Sequence, residues 1–226
     1  MGSITDWISS ALSEPSEDQK RTLRKRGVDE NSRVRFYSWT TPNEPCPCPR
    51  FTSNFGNRGQ KIEGSTIFKI TSPRSKLLGI EARRVLPSGK KKVLQYRTSA
   101  SAYNPYVIGA EDAFKALWGG CDIWVVEGVY DKVALDKVVP ACDAVVSTLR
   151  AGMDKNTMEM LSTFAGKAST VYIAYDNDDT GREKAQWLRR RLVSLGMRCE
   201  VWTYRGKDPN EVWKIGGEKL LRRMFL

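Results

Sequence analysis

The sequence predicts an α/β protein: a parallel sheet of about four strands flanked by helices, preceded by a basic α+β subdomain. Three observations carry this. Beyond Gly119-Gly120, short continuous apolar runs alternate with amphipathic stretches, the pattern of strands buried on both faces between helices. Ahead of it, apolar runs punctuated by Ser72-Pro73-Arg74-Ser75 and Pro87-Ser88-Gly89 read as an antiparallel meander. The net charge of +11 is also divided unevenly. Residues 1–120 hold 20 Lys/Arg against 11 Asp/Glu, and residues 121–226 hold 17 against 15. A basic front half and a near-neutral rear half suit a polyanion-gripping surface joined to a differently used module. The expected division is a basic N-terminal subdomain over 1–120, a parallel-sheet domain over 121–206, and an acidic motif with a packing helix over 207–226.

In chain order, residues 10–26 read as a helix and the Pro/Cys-rich 44–60 as loop. Strands follow at 66–70, 77–85 and 93–96, and a short helix at 111–117. The alternating part places strands at 123–126, 144–148, 170–175 and 199–204, with helices at 130–138, 155–164 and 181–195. Trp124 and Trp187 are expected in the core or in helix packing, and Arg189-Arg190-Arg191 in solvent. No stretch approaches the roughly 18–20 apolar residues of a membrane span, and no signal-peptide core stands at the front. A cytoplasmic location is expected.

The sequence contains no His and five Cys. Without His, Ser-His-Asp and Cys-His nucleophile systems, facial-triad iron sites and His-ligated zinc sites are excluded. The odd thiol count, with Cys142 and Cys199 in apolar surroundings, reads as reduced buried thiols. Cys46-Pro-Cys48 has no second pair nearby, so no zinc is expected. Chemistry is left to carboxylates, amines and metal ions.

Two predicted strand ends carry the informative acids. Glu127-Gly128 ends one, with Asp131 in the first turn of the following helix. Asp176-Asn177-Asp178 ends another; alternation along extended chain aims Asp176 and Asp178 together. Neighbouring carboxylates repel unless a cation lies between them, and hard oxygen donors favour magnesium or manganese. Asp179 reads as the helix cap. Asp131 also suits the helix dipole, and Asp208, before Pro209, also suits a turn. Lys90, Lys91 and Lys92, with Arg83, Arg84 and Arg97, read as a phosphate-binding face rather than a solvated hairpin tip. Tyr96 and Tyr103 read either as base-stacking or as packing residues.

Glu127-Gly128-x-x-Asp131 followed by Asp176-x-Asp178-x-x-Gly181 resembles the Toprim signature of primases, topoisomerases and several nucleases. The wider chain resembles the catalytic core of DnaG-type primases. The residues concerned are Leu23 to Val28 with Arg35-Phe36, Ile67 to Ile70, Gly79-Ile80 and Arg84-Val85-Leu86, Gln95 to Ser99, and Gly206 to Glu211. This resemblance implies primer synthesis on single-stranded DNA from nucleoside triphosphates, using two or more magnesium or manganese ions. It implies Asp176 and Asp178 as principal ligands, Glu127 as acid/base or metal-adjacent group, and Asp131 and Asp208 completing the pocket. The chain departs from the family at Gln95, where Lys is usual, at Thr98 for Asn, at Arg150-Ala151 for Gly-Thr, and at Asn210 for a second Asp. The family's zinc-binding domain and helicase-binding tail are not seen, which implies a replicative helicase or a separate template-recognition protein as partner, and a phage or mobile-element setting. A Toprim nuclease and a non-catalytic DNA-binding replication accessory are the alternatives. The basic meander speaks against the former and the intact acidic set against the latter.

Overall fold

The computed structural model describes residues 3–29, 31–85, 90–98, 105–150, 152–163 and 169–225. The chain divides into two compact units: Met1–Arg21 with Arg35–Ile70 and Leu77–Ser101, and Thr22–Val34 with Thr71–Lys76 and Ala102–Leu226. The boundary expected at residue 120 thus falls inside the second unit.

The first unit contains α1 (Ile4–Ser10), β1 (Leu12–Ser13), β2 (Phe36–Trp39), α3 (Pro49–Phe55), β3 (Thr66–Thr71), β4 (Leu77–Val85) and β5 (Lys91–Arg97); α2 (Glu17–Arg24) runs across the division. Its sheet has the order β1-β2-β3-β4-β5. The helix expected over 10–26 is shortened to Glu17–Arg24. Pro15 lacks an N–H and biases its predecessor away from helix, while Leu12 and Ser13 pair with Trp39 and Ser38. The loop expected over 44–60 contains α3, which starts on Pro49 in its first turn, where a missing N–H is harmless. Phe51 and Phe55, one helical turn apart, are fully buried. Phe51 meets Trp7 at 5.1 Å, Tyr96 at 4.5 Å and Trp39 at 5.9 Å between ring centroids. The expected turn at 87–89, and Ser99 and Tyr103, lie outside the described residues.

The second unit contains α4 (Ala110–Trp118), β6 (Ile123–Val126), α5 (Val129–Leu135), β7 (Ala144–Ser147), α6 (Lys155–Ser162), β8 (Thr170–Ile173), α7 (Asp179–Ser194), β9 (Arg198–Val201) and α8 (Pro209–Phe225). The sheet order is β7-β6-β8-β9, and every pairing is parallel. Alternate residues of β6 feed two apolar layers. Ile123 and Val125 pack with Leu117, Leu161, Leu188 and Leu192. Trp124 and Val126 pack with Leu135, Val138, Leu221 and Phe225. Burial on both faces explains the continuous apolar strand sequences. Trp187 departs from expectation at 45% exposure, because the buried stripe of α7 runs through Gly181, Ala185, Leu188 and Leu192. Cys142 is likewise exposed, standing just before β7 rather than within it; Cys199 is buried. No helix among the described residues is long and apolar enough to cross a membrane.

Phe51→Ala is expected to destabilise the first unit by about 3–5 kcal/mol. Urea unfolding followed by the fluorescence of its Trp7 and Trp39 neighbours measures this, and an unchanged midpoint would remove α3 from the core.

Candidate active site

Glu127 and Asp176 leave the carboxyl ends of the adjacent strands β6 and β8, where ligands of parallel sheets bind. The Asp176 N–H donates to Glu127 Oε1 at 3.3 Å, which joins the two strand ends directly. Burial and the Asp176 and Asp178 charges push the Glu127 carboxyl up to about 7, partly offset by Lys207. Burial and the Asp208 and Asp178 charges push Asp176 up to about 6, again against Lys207. The Asp131 carboxyl lies well above the ordinary range through burial and the charge of Asp208. The five acids predicted from sequence therefore form one interacting group.

Four of the five accept backbone N–H groups: Glu127 from Asp176, and three more at helix starts. Asp178 caps α7, accepting the Gly181 N–H at 2.8 Å, so the cap expected at Asp179 belongs to Asp178; Asp179 pairs with Arg182 instead. Asp208 accepts the Glu211 N–H at 2.6 Å at the start of α8. Asp131 accepts from Gly128 N–H and Asn210 N–H, both at 3.1 Å. A Cβ on residue 128 would stand 2.5 Å from the Asp131 carboxylate, and one on residue 181 would stand 2.0 Å from the Asp176 carbonyl oxygen. Both motif glycines are therefore required by crowding around acids.

Asn210 has a different role from that of a missing ligand. Its side chain is buried and donates to the carbonyls of Arg26 at 2.9 Å and Tyr130 at 3.4 Å. A carboxylate has no proton for either acceptor. Asn177 turns away from the pocket, as alternation predicts, and donates to the carbonyls of Tyr204 and Gly206. Its N–H bonds Lys207 O at 2.6 Å, fixing the segment that carries Lys207 and Asp208. Lys207 is the functional residue missed from sequence. The signal was its place beside Asp208, but only the fold brings its charge to Glu127 and Asp176.

The residues suit a hard divalent cation: the donors are carboxylate oxygens, and three of the acids have carboxyls raised in a way that an ion would relieve. Among the described residues no three of these acids bring oxygens within 4.8 Å of one another, so an ion shared by three of them would draw the carboxylates inward.

The basic residues predicted to bind nucleic acid lie in the first unit. In the β4–β5 pairing, Arg84 stands opposite Lys92, and Arg83 opposite Val93. Alternation puts Arg84 and Lys92 on one face and Arg83, Lys91 and Arg97 on the other, so they form no single stripe. Lys90, Lys91, Lys92 and Arg97 are exposed. Arg83 Nε donates to the buried Glu81 at 2.5 Å, and Gln95 Nε2 donates to it at 2.8 Å. Tyr96 is a correction: its ring is buried against Phe51 and Phe55, and its hydroxyl lies 2.7 Å from Cys48 Sγ, so it cannot stack on a base.

Two outcomes follow. A raised carboxyl binds its proton more tightly in the folded state, so its contribution to stability is full at low pH and is lost as pH rises. The cation-free protein is expected to lose thermal stability between about pH 4 and 7 through Glu127 and Asp176. Glu127→Gln and Asp176→Asn should flatten that slope in melting curves. Asn210→Asp should destabilise by about 1–3 kcal/mol by leaving two carbonyls without donors, measured by denaturant unfolding.

Residues 124–213 match a family described as Toprim-like. A DNA primase from Aquifex aeolicus (strain VF5) is 28% identical over 161 residues, covering 70% of this chain and 31% of the relative. The chain therefore spans about a third of that relative's length. The crystal structure of the zinc-binding and RNA polymerase domains of Aquifex aeolicus primase superposes with a TM-score of 0.67 at 19% identity, covering 98% of this chain and 59% of that one. The structure of a DnaG primase catalytic domain bound to single-stranded DNA gives 0.66 at 18%, covering 98% and 77%. Residues 124–213 are thus similar to Toprim-like domains, and the chain shares the fold of these primase structures.

Proposed function

We propose that this chain is a primase-type nucleotidyltransferase, extending a short primer on single-stranded DNA with nucleoside triphosphates. The observation that carries the reading is the meeting of Glu127 and Asp176 at adjacent strand ends, with Asp178 and Asp208 close enough to act on their ionisation. The fold shared with primase cores and the single-stranded DNA bound by one of them support the substrate class. A replicative helicase or a template-recognition protein is the partner this reading proposes.

In the reaction a 3′-hydroxyl oxygen bonds to the α-phosphorus while the bond to the β-phosphate bridging oxygen breaks, and pyrophosphate leaves. Magnesium or manganese, when bound, lowers the pKa of the attacking hydroxyl and offsets charge on the phosphate. Asp176 and Asp178 would hold it, with Glu127 alongside. Glu127, beside those ligands and with its carboxyl raised by burial and the neighbouring acids, is placed to accept the hydroxyl proton. Asp131 and Asp208 each spend oxygens on backbone N–H groups and so steady the pocket walls. Lys207 offers a cation to the triphosphate, and the exposed Lys91 and Arg97, on one face of the β4–β5 pair, offer phosphate contacts to the template.

The test is incubation with single-stranded DNA, labelled triphosphates and manganese, resolved on a denaturing gel. New short products are expected. Asp176→Ala and Glu127→Gln should reduce them by at least about 100-fold while DNA binding persists. Lys207→Ala should raise the KM for triphosphate. Shortened DNA without new products would favour nuclease chemistry, and full activity in Asp176→Ala would overturn the site.

A further inference from the structure

Two thiols and a carboxylate converge at the amino-terminal edge of the parallel sheet, the edge away from the acidic pocket. Ile123 of β6 pairs with Ala144 of β7. Cys121 and Cys142 each stand two residues before that pair, so they come level on neighbouring chains and share a face. Their Sγ atoms and a carboxylate oxygen of Asp143 all lie within 4.8 Å of one another. Cys142 is exposed and Cys121 half-buried, which gives access from solvent, while Asp143 is buried.

The carboxylate is held in place. Asp143 Oδ1 accepts the Asp122 N–H at 3.1 Å, and Oδ2 lies 3.4 Å from the donating Trp124 Nε1. Asp122 in turn accepts the N–H of Thr170, the first residue of β8, at 2.7 Å. Arg33 donates to the carbonyls of Asp143 at 2.8 Å and Ala141 at 3.2 Å, fixing the turn that presents Cys142. A carboxylate has about four acceptor positions, so these bonds leave room for a further ligand. Such outer hydrogen bonds are what orient carboxylates and fix geometry at metal sites.

We infer that Cys121, Cys142 and Asp143 form a binding site for one soft divalent cation of the zinc class, with its fourth position open to water. With metal–sulfur bonds of about 2.3 Å in tetrahedral geometry, two thiolate ligands stand about 3.8 Å apart, so a single ion spans this group after small side-chain shifts. Two thiolates and one carboxylate belong to the ligand types zinc takes. The Cys142 thiol already lies 3.5 Å from Asp143 Oδ1 as a donor, so losing its proton to a cation turns that contact into two neighbouring ligands. Binding displaces two thiol protons, leaves the loaded group with one net negative charge beside the Arg33 guanidinium, and ties the starts of β6 and β7 together. Six residues separate Cys121 from Glu127, about 20 Å of extended chain, so this ion and those of the acidic pocket are separate.

The test uses the whole chain, stripped with chelator under reducing conditions and then given excess magnesium. One equivalent of cobalt(II) is expected to produce thiolate-to-cobalt charge-transfer absorption that zinc(II) abolishes, and zinc should raise the melting temperature. Cys121→Ser and the exposed Cys142→Ser should each lose the absorption, and Asp143→Asn should weaken zinc binding by at least about tenfold. A Cys46→Ser, Cys48→Ser double variant and Asp176→Ala should keep it. Absence of the absorption, its persistence without Cys121 and Cys142, its loss without Cys46 and Cys48, or isolation of the chain as a cation-free Cys121–Cys142 disulfide overturns the assignment.

Discussion

Crowding of negative side chains at the tips of β6 and β8 is the constraint on which the second unit is organised. Adjacent parallel strands cannot hold Glu127 and Asp176 apart, and burial strips away the water that would screen them. The surrounding chain answers with donors: helix starts at α5, α7 and α8 each turn backbone N–H groups onto Asp131, Asp178 and Asp208. These bonds use the unsatisfied N–H groups that any helix start must satisfy. One set of contacts therefore caps three helices and orients three acids.

The same economy joins distant segments. Asp131 accepts the Asn210 N–H across 79 residues, and the Asn210 side chain reaches back to Arg26 and Tyr130. The guanidinium of Arg26 lies 4.5 Å from the Tyr130 ring centroid. Segment 22–34 thereby belongs to the second unit although it precedes most of the first. An amide at 210 suits this junction because it faces two acceptors. In sequence the residue resembled a lost metal ligand; in three dimensions it is a donor placed where no acid could serve.

The alternating half of the fold and all five acids were legible because their signals are local. A four-residue apolar run is a strand buried on both faces, and a glutamate or aspartate just after it lies at the sheet mouth. What was missed depends on contacts far along the chain. Phe51 and Phe55 look like loop residues until Trp7, Trp39 and Tyr96 gather around them. Leu12 and Ser13 look helical until Trp39 and Ser38 pair with them. Tyr96 looks like a stacking platform until strand parity turns it inward, and Trp187 looks buried until the stripe of α7 passes it by. Lys207 is marked in sequence only by its place beside Asp208, since its influence on Glu127 and Asp176 exists only once the segment after β9 is fastened by Asn177.

Glu127 and Asp176, the two acids outside the helix starts, also differ in kind. Asp176, near 6, is mostly ionised at neutral pH, so it offers a ready anion to a cation whenever one arrives. Glu127, near 7, is divided between its two forms under the same conditions. A cation would draw both downward, and the group with more proton to lose is the one whose state changes most. On the proposed reading Asp176 supplies charge, and Glu127 carries the proton. The division arises from burial and from which neighbours face each carboxyl. It follows that shortening Glu127 to Asp would alter proton transfer more than cation affinity, because the charge remains while the reach to Asp176 N–H is lost.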